Sequence, residues 1–362
     1  MTNSQSERYA RHLLLPEFGP SAQERLLESK VLVIGAGGLG SPALLYLTAA
    51  GVGHITIIDH DTVDLSNLQR QILHSERTVG TKKIESAEQS LRALNSDVTL
   101  STVDAPFTID NALTLVQEHD LVIDGSDNFA TRFLTNDACY FSKTPLVYGS
   151  IFQYEGQLSF FNARDKHSPC YRCLVPAPPE EGAVPNCLEA GVIGTLPGII
   201  GSMQAMEAIK YLAGVGTPPI GKMLYYDALN TSFRSINIQK DPQCPLCSAH
   251  ATINTLKSES SQTCTMTDIP QITCENLKPI LEKEEILLID VREAHEYAQS
   301  RIPGSQLFPL SNIEHNYPDV PKDQEIFVHC AAGIRSMKAI EILMSKGFTN
   351  LINVQDGIQG WR

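Results

Sequence analysis

The stretch Val31-Leu-Val-Ile-Gly-Ala-Gly-Gly-Leu-Gly40, followed by Ser41-Pro-Ala-Leu-Leu45, admits few folds. Four apolar residues, three of them β-branched, read as a buried strand. Glycines at 35, 37 and 40 then let the backbone turn tightly and approach a ligand. Pro42 suits the first turn of a helix, where its missing N–H costs little. Strand, glycine turn and helix in that order begin a βαβ unit with a parallel sheet.

Strand-like runs recur at 55–58 (ITII), 98–103, 121–124 (LVID) and 146–149 (LVYG), separated by helix-compatible stretches. The expected fold is therefore α/β, with a Rossmann-like, doubly wound, mostly parallel sheet. Residues 1 to about 29 read as a leading helical segment. The runs at 156–161 and 222–226 suggest further strands, with an antiparallel extension as one option, and Gly201 to Gly214 suggests a helix. In that helix Met203, Met206 and Ile209 are expected to fill core or subunit interface.

A chain of 362 residues exceeds the usual size of one domain. The text turns polar and aperiodic after residue 248, with Ser258-Glu-Ser-Ser-Gln262 at its centre, so 249–267 is expected to be a flexible linker. A second, smaller α/β domain is expected over 268–362, with strands at 286–290, 325–329 and 350–354 and helices at 293–300 and 335–346. The first domain then spans 1–248.

Gly35, Gly37 and Gly40 satisfy the G-x-G-x-x-G pattern, and Asp59 ends the next strand. This is the dinucleotide fingerprint, with Asp59 on a ribose hydroxyl, yet the glycines alone do not separate NAD from ATP. Asp59 has a plainer reading too, as the cap of a turn. A bound triphosphate requires several cations or amide donors and a carboxylate for Mg2+, whereas a nicotinamide site requires neither in such number. Asn67, Arg70 and Lys83 are candidates for the first need and Asp127 for the second.

Between Arg8-Tyr-Ala-Arg-His12 and Cys247, through GAGGLG, SNLQRQ, DGSDN, CYRC, CLEAGV, GSMQAMEAIK and CPLC, the chain resembles the MoeB/ThiF/HesA adenylyltransferases, relatives of the ubiquitin-activating enzymes. That resemblance implies binding of ATP and Mg2+ and adenylation of the C-terminal glycine of a ubiquitin-like sulfur carrier protein. It assigns Gly38 to the phosphate turn, Asp59 to the ribose, and Ser66, Asn67, Arg70 and Lys83 to the nucleotide and its phosphates. Asp127 is assigned to Mg2+ with Asn128 beside it, and Arg11 is the arginine that reaches into the partner subunit's site, implying a homodimer.

Cys170-Tyr-Arg-Cys173 and Cys244-Pro-Leu-Cys247 each set two thiolates on one side of a tight turn, and together they make a closed tetrahedral Zn2+ shell of structural type. A pair of redox dithiols or ordinary thiols is the alternative, and the resemblance favours zinc. Cys139, in a helical stretch, reads as core. Cys187 lies in a proline- and glycine-rich segment and is expected to be accessible. It stands where the family carries the cysteine that forms a thioester in the ubiquitin-activating relatives. Its two readings are a covalent link to the carrier and a loop residue kept for packing.

The strand at 325–329 runs into Cys330-Ala-Ala-Gly-Ile-Arg-Ser336 and then a helix, a geometry in which backbone N–H groups and a helix N-terminus converge on the cysteine sulfur. Cys330 is thus expected to be a nucleophile of lowered pKa. Only four residues separate Cys330 from Arg335, a tighter ring than the Cys-x5-Arg phosphatase loop, and suited to a persulfide. With Leu288-Ile-Asp-Val-Arg-Glu293, Arg301-Ile-Pro-Gly304 and Asp356-Gly-Ile-Gln-Gly-Trp361, this unit resembles rhodanese domains. By that resemblance Cys330 carries the sulfane sulfur, Arg335 helps position the donor and Asp290 is structural.

The net charge of −13 argues against a chain-wide footprint for nucleic acid or an anionic membrane. No apolar run reaches spanning length, and no secretory leader is apparent, so a cytoplasmic location is expected. The joint expectation is carrier adenylation followed by displacement of AMP by a Cys330 persulfide, itself charged by a donor such as a cysteine desulfurase. The alternatives are an NAD-dependent oxidoreductase with an accessory sulfur domain and a non-catalytic docking scaffold.

Overall fold

The computed structural model describes residues 1–178, 191–257, 269–283 and 286–361. The chain forms two compact units, Met1–Gln262 and Thr263–Arg362. The first is built on an eight-stranded sheet of order β3-β2-β1-β4-β5-β6-β7-β8. Its parallel half comprises β1 (Lys30–Ile34), β2 (His54–Ile58), β3 (Thr99–Val103), β4 (Leu121–Asp124) and β5 (Leu146–Phe152). Strands β6 (Glu155–Phe161), β7 (Lys222–Asp227) and β8 (Ser232–Asn237) extend it antiparallel. The expected strands are all present, and β8 is additional.

Helices cover both faces of the parallel half, which is why β1, β2 and β4 are near-continuous apolar runs, interrupted inside only by Thr56. One face packs the helix Gly40–Ala50 and the helix Thr195–Ala213 over Val31, Val33, Ile55 and Ile57. The other packs Phe129–Ser142 over Leu32, Ile34 and Val122, with Cys139 in that core as expected. The helix expected from Gly201 begins at Thr195 and ends at Gly214, a left-handed cap with φ 66°. Met203 and Ile209 pack onto the core, whereas Met206 is 56% exposed and so not a core residue.

The leading segment is three short helices, Asn3–Arg8, Ala10–Leu13 and Gly19–Glu28, rather than one. Tyr9 interrupts them because its ring is buried under Gly51 and its hydroxyl accepts from Asn95 Nδ2 at 2.9 Å. Of the expected linker, 249–257 is irregular, with Ile253 against the cysteine cluster and Leu256 on the core; the remainder lies outside the described residues.

The second unit is a five-stranded parallel sheet, order β11-β10-β12-β13-β9. Its strands are β9 (Gln271–Ile272), β10 (Leu287–Asp290), β11 (Gln306–Leu307), β12 (Ile326–His329) and β13 (Leu351–Val354). Helices Cys274–Leu281, Ala294–Gln299 and Ile334–Ser345 flank it, and a 3-10 turn, Gly357–Trp361, ends the described chain. Among the described residues no helix is long and apolar enough to cross a membrane.

Candidate functional site

Sheet order reverses between β1 and β4, and in an open parallel sheet ligands bind at the carboxyl ends flanking that reversal. A cleft opens there, lined by the glycine turn and by Asp59, Arg70, Lys83, Asp127 and Asn128. Gly35 takes φ 90°, a conformation that favours glycine, and a Cβ on it would lie 3.1 Å from Gly125 O. The turns after β1 and β4 therefore touch, and together they form the cleft floor.

Asp59 holds this floor in shape. Its Oδ2 accepts from Ala36 N at 2.8 Å and its Oδ1 from Asp61 N at 2.9 Å. At the carbonyl of the same residue, His74 Nε2 donates to Ala36 O at 2.9 Å while Nδ1 meets Ser86 Oγ at 2.9 Å. Burial pushes the imidazole below its ordinary value, outweighing the pull of the Ala36 carbonyl, so His74 is neutral.

Lys83 starts the helix Lys83–Leu94 and its Nζ pairs with Asp61 at 2.7 Å. Burial raises the Asp61 carboxyl, but the hydrogen bond and charge of Lys83 hold it below the usual carboxylate range. Ser66 and Asn67 are not among the cleft lining. They form the 3-10 turn Leu65–Asn67, capped by Asp64, and Ser66 O accepts from Arg70 Nη1 at 3.1 Å, so they aim the arginine. Gln71, 4% exposed, lines the cleft with its Oε1 unpartnered.

Asp127 is exposed to the cleft, and Asn128 caps the helix Phe129–Ser142 by accepting from Thr131 N at 2.9 Å. Asp124, just before, is fully buried: its Oδ1 accepts from Ser126 N and Oγ, and burial pushes its carboxyl up. Arg11 is exposed on the helix Ala10–Leu13 and is not in the cleft lining.

The four cysteines expected to gather do so. Sulfur separations are 3.9 Å for Cys170–Cys173, 3.6 Å for Cys170–Cys244 and 3.4 Å for Cys173–Cys247. Arg172, inside the first pair, is buried in a two-bond contact with Asp137, at 2.8 and 2.7 Å, and lies over the Phe133 ring. This anchors the Cys170 turn to the helix carrying Asp137. Cys187 lies outside the described residues.

In the second unit Cys330 follows β12 and is 1% exposed, with Ser336 Oγ 3.5 Å from its sulfur. Gly333, at φ 83°, and Gly357 fold the loop and the terminal turn onto each other, and Ile358 N donates to Cys330 O at 2.9 Å. Arg335 makes a two-bond ion pair with Glu296, at 2.7 and 2.8 Å. Asp290 is structural, as expected: it is fully buried and holds Arg292.

His74, Gln71, Asp61, Glu296 and Ser336 were not singled out from the sequence. Asp61 had a signal, since it stands two residues after Asp59; Glu296 had another, three residues after Glu293 in a capping pattern. Gln71 ends the SNLQRQ motif, whereas nothing local marks His74.

Comparison with known proteins agrees with the two-unit fold. The model of the ThiF family matches residues 9–246, and that of the rhodanese-like domain matches 273–362. The probable adenylyltransferase/sulfurtransferase MoeZ of Mycobacterium tuberculosis is 40% identical over all of this chain and 94% of its own length. The adenylyltransferase and sulfurtransferase MOCS3 of Culex quinquefasciatus is 39% identical, over 100% of this chain and 88% of its own. The sulfur carrier protein adenylyltransferase of Thermus thermophilus is 47% identical over 68% of this chain and 92% of its own. Among solved structures, Escherichia coli MccB superimposes with a TM-score of 0.60 at 21% identity, covering 69% of this chain and 75% of that one, a likeness of fold. The chain belongs to the ThiF family and carries a C-terminal rhodanese-like domain.

Proposed function

We propose that the first unit uses ATP to adenylate the C-terminal glycine of a ubiquitin-like sulfur carrier ending in Gly-Gly, and that Cys330 delivers the sulfur that turns the adenylate into a thiocarboxylate. The observation that carries this reading is the meeting of Asp59, Arg70, Lys83 and Asp127 around the glycine turn, in a chain that also has an intact Cys330 loop. The curated relatives are named for adenylyl and sulfur transfer, one of them on a sulfur carrier protein, and the same substrate class is proposed here.

Backbone N–H groups of the glycine turn and the start of the helix Gly40–Ala50 face the phosphates, and Arg70 and Lys83 neutralise them. The Asp59 oxygens each accept one backbone N–H and keep lone pairs for a ribose hydroxyl. Asp127, with Asn128 beside it, is the residue that would hold Mg2+, which supplies charge neutralisation when bound; the Asp127 carboxylate, exposed to the cleft, fits that role. The carrier carboxylate attacks the α-phosphorus, the bond to the β-phosphate oxygen breaks and pyrophosphate leaves. Positioning and charge carry this step without a protein base.

The Cys330 persulfide, charged by a donor such as a cysteine desulfurase, then attacks the acyl carbon and AMP leaves with the bonding pair. A second thiol, with Cys187 as the candidate in this chain, attacks Cys330 Sγ as the thiolate and forms a disulfide with it, and the thiocarboxylate leaves with the electron pair of the broken sulfur–sulfur bond. Arg11 is assigned to the partner subunit's nucleotide site in a homodimer, and the protein to the cytoplasm, where its thiols stay reduced. The cysteine cluster is assigned to structural Zn2+: a tetrahedron with Zn–S of about 2.3 Å has edges of about 3.8 Å, three of the sulfur separations run from 3.4 to 3.9 Å and all lie within 4.8 Å.

The test is ATP–pyrophosphate exchange dependent on such a carrier, with mass detection of the thiocarboxylate. Asp127→Ala is expected to abolish exchange and spare sulfur loading at Cys330; Cys330→Ala is expected to do the reverse. Absence of carrier-dependent exchange, or NAD reduction in its place, would sink the reading.

A further inference from the structure

Within the loop Cys330–Ser336 the single cation is Arg335, and both of its terminal nitrogens are taken: Nη1 donates to Glu296 Oε2 at 2.7 Å and Nη2 to Oε1 at 2.8 Å. Glu296 is itself held, because Oε2 also accepts from Glu293 N at 3.1 Å and so closes the first turn of the helix Ala294–Gln299. The pair joins positions 39 residues apart and is half-buried, so it belongs to the fold and is not a chance surface contact. Arg292 and His329, the buried basic residues beside the loop, are not open to an anion either. Arg292 donates to Asp290 and to Ser300 O, and burial keeps His329, beside Asp290, in its neutral form. The fork that a planar or tetrahedral dianion would engage is filled by a carboxylate.

We propose that Glu296 determines which sulfur donor the second unit accepts: it withdraws Arg335 from small dianionic donors such as thiosulfate and leaves Cys330 to donors that present a persulfide on a thiol. This rests on the reading of Cys330 as the sulfur-carrying residue. With thiosulfate the Cys330 thiolate attacks the outer sulfur, the sulfur–sulfur bond breaks and sulfite leaves with the electron pair. With a thiol persulfide the same bond forms and the donor thiolate leaves. The chemistry at Cys330 is common to both, and the charge carried by the donor is what differs.

The experiment uses the full chain, cyanide as acceptor and thiocyanate as readout, with thiosulfate and cysteine persulfide as the two donors. Glu296→Gln keeps a side-chain oxygen for Glu293 N, but it removes the negative charge that neutralises Arg335 and the acceptor that faces Nη2. It is expected to lower the thiosulfate KM by about tenfold with little change in kcat, and to leave the persulfide KM within about twofold. Adding Arg335→Gln to it should return the thiosulfate KM to the parental value or above. The parental chain gives a reading that depends on no variant: its thiosulfate KM should shift by less than about twofold between low and high salt, since the fork is already neutralised. A steep salt dependence in the parental chain, or an unchanged thiosulfate KM in Glu296→Gln, overturns the role of Glu296. Absence of thiocyanate from both donors overturns the sulfur-carrying reading and this one with it.

Discussion

The glycine turn offers a sharp test because two of its glycines answer to different constraints. Gly40 opens the helix Gly40–Ala50, and a Cβ there would lie 2.9 Å from the carbonyl carbon of Gly35 and closer still to its oxygen. That carbonyl cannot retreat: Gly35 N donates to Ile58 O at 2.9 Å and Gly35 abuts Gly125. Overpacking costs about 1–3 kcal/mol where side chains yield, and here backbone is the obstacle, so Gly40→Ala belongs at or beyond the upper end. The helix gains at most about 1 kcal/mol from alanine, leaving a net loss of about 2 kcal/mol or more. Gly38 differs in degree, since its Cβ would meet Pro197 Cβ at 3.2 Å, a few tenths of an ångström too close, and Arg70 Cδ at 3.7 Å, an ordinary contact, and neither obstacle is backbone. Gly38→Ala is therefore expected to keep stability within about 1 kcal/mol while intruding on the cleft and weakening ATP. Urea unfolding followed by circular dichroism measures the first effect, because the single tryptophan, Trp361, lies in the second unit. Titration calorimetry with ATP measures the second. Equal unfolding midpoints for Gly40→Ala and the parental chain, or equal destabilisation by the two substitutions, would refute the reasoning.

Removing Asp137 leaves Arg172 charged and buried between two cysteines of the cluster, so Asp137→Ala should cost about 3–5 kcal/mol in urea unfolding. Cys244→Ser removes a sulfur 3.6 Å from Cys170; bound zinc measured by atomic absorption should fall to background, with earlier thermal unfolding of the first unit. The Arg335 hydrogen bonds hold the Glu296 carboxyl down at about 2 from an ordinary 4.5, so its stabilisation is fully present above pH 4.5 and is lost as pH falls towards 2. Unfolding followed by tryptophan fluorescence should show that acid slope in the parental chain and a shallower one in Glu296→Gln. His74 is neutral when folded, so the first unit should lose stability as pH drops below 6.5, and His74→Asn should flatten that part of the circular-dichroism melting profile.

Much of this architecture is legible in the sequence for a physical reason. Parallel strands buried on both faces are apolar along most of their length, and β1, β2, β4, β10 and β12 announce themselves. The edge strand β8, Ser-Phe-Arg-Ser-Ile-Asn, carries no such demand because it is largely exposed, and β9 and β11 are two residues each. The helix Cys274–Leu281 contains Pro279, which argues against a helix until its neighbours are known. The site divides in the same way. Arg70, Lys83, Asp127 and the cysteines stand in compact motifs, whereas the partners that commit them, Asp61 for Lys83 and Glu296 for Arg335, lie 22 and 39 residues away and are set by the fold.

One recurring device complicates the reading of acidic residues at strand ends. Asp59, Asp124 and Asp290 each accept, through Oδ1, the N–H two residues ahead: Asp61 at 2.9 Å, Ser126 at 2.9 Å and Arg292 at 3.0 Å. These Asx turns lead the chain out of the sheet and towards the cleft or the loop. Asp124 and Asp290 are fully buried and do nothing for a ligand directly, so position at a strand end is weak ground for a binding role. Asp59 also ties Ala36, and Asn has one acceptor oxygen where Asp has two. Asp59→Asn would thus loosen the glycine turn whether or not the carboxylate meets a ribose, and weaker ATP binding alone decides nothing. A cycle with deoxyribose analogues of ATP does decide it. If Asp59 accepts a ribose hydroxyl, removing that hydroxyl weakens binding to the parental chain and costs little more in Asp59→Asn. If the two losses add in full for both the 2′-deoxy and the 3′-deoxy nucleotide, Asp59 acts only through Ala36 and Asp61, and the ribose assignment falls.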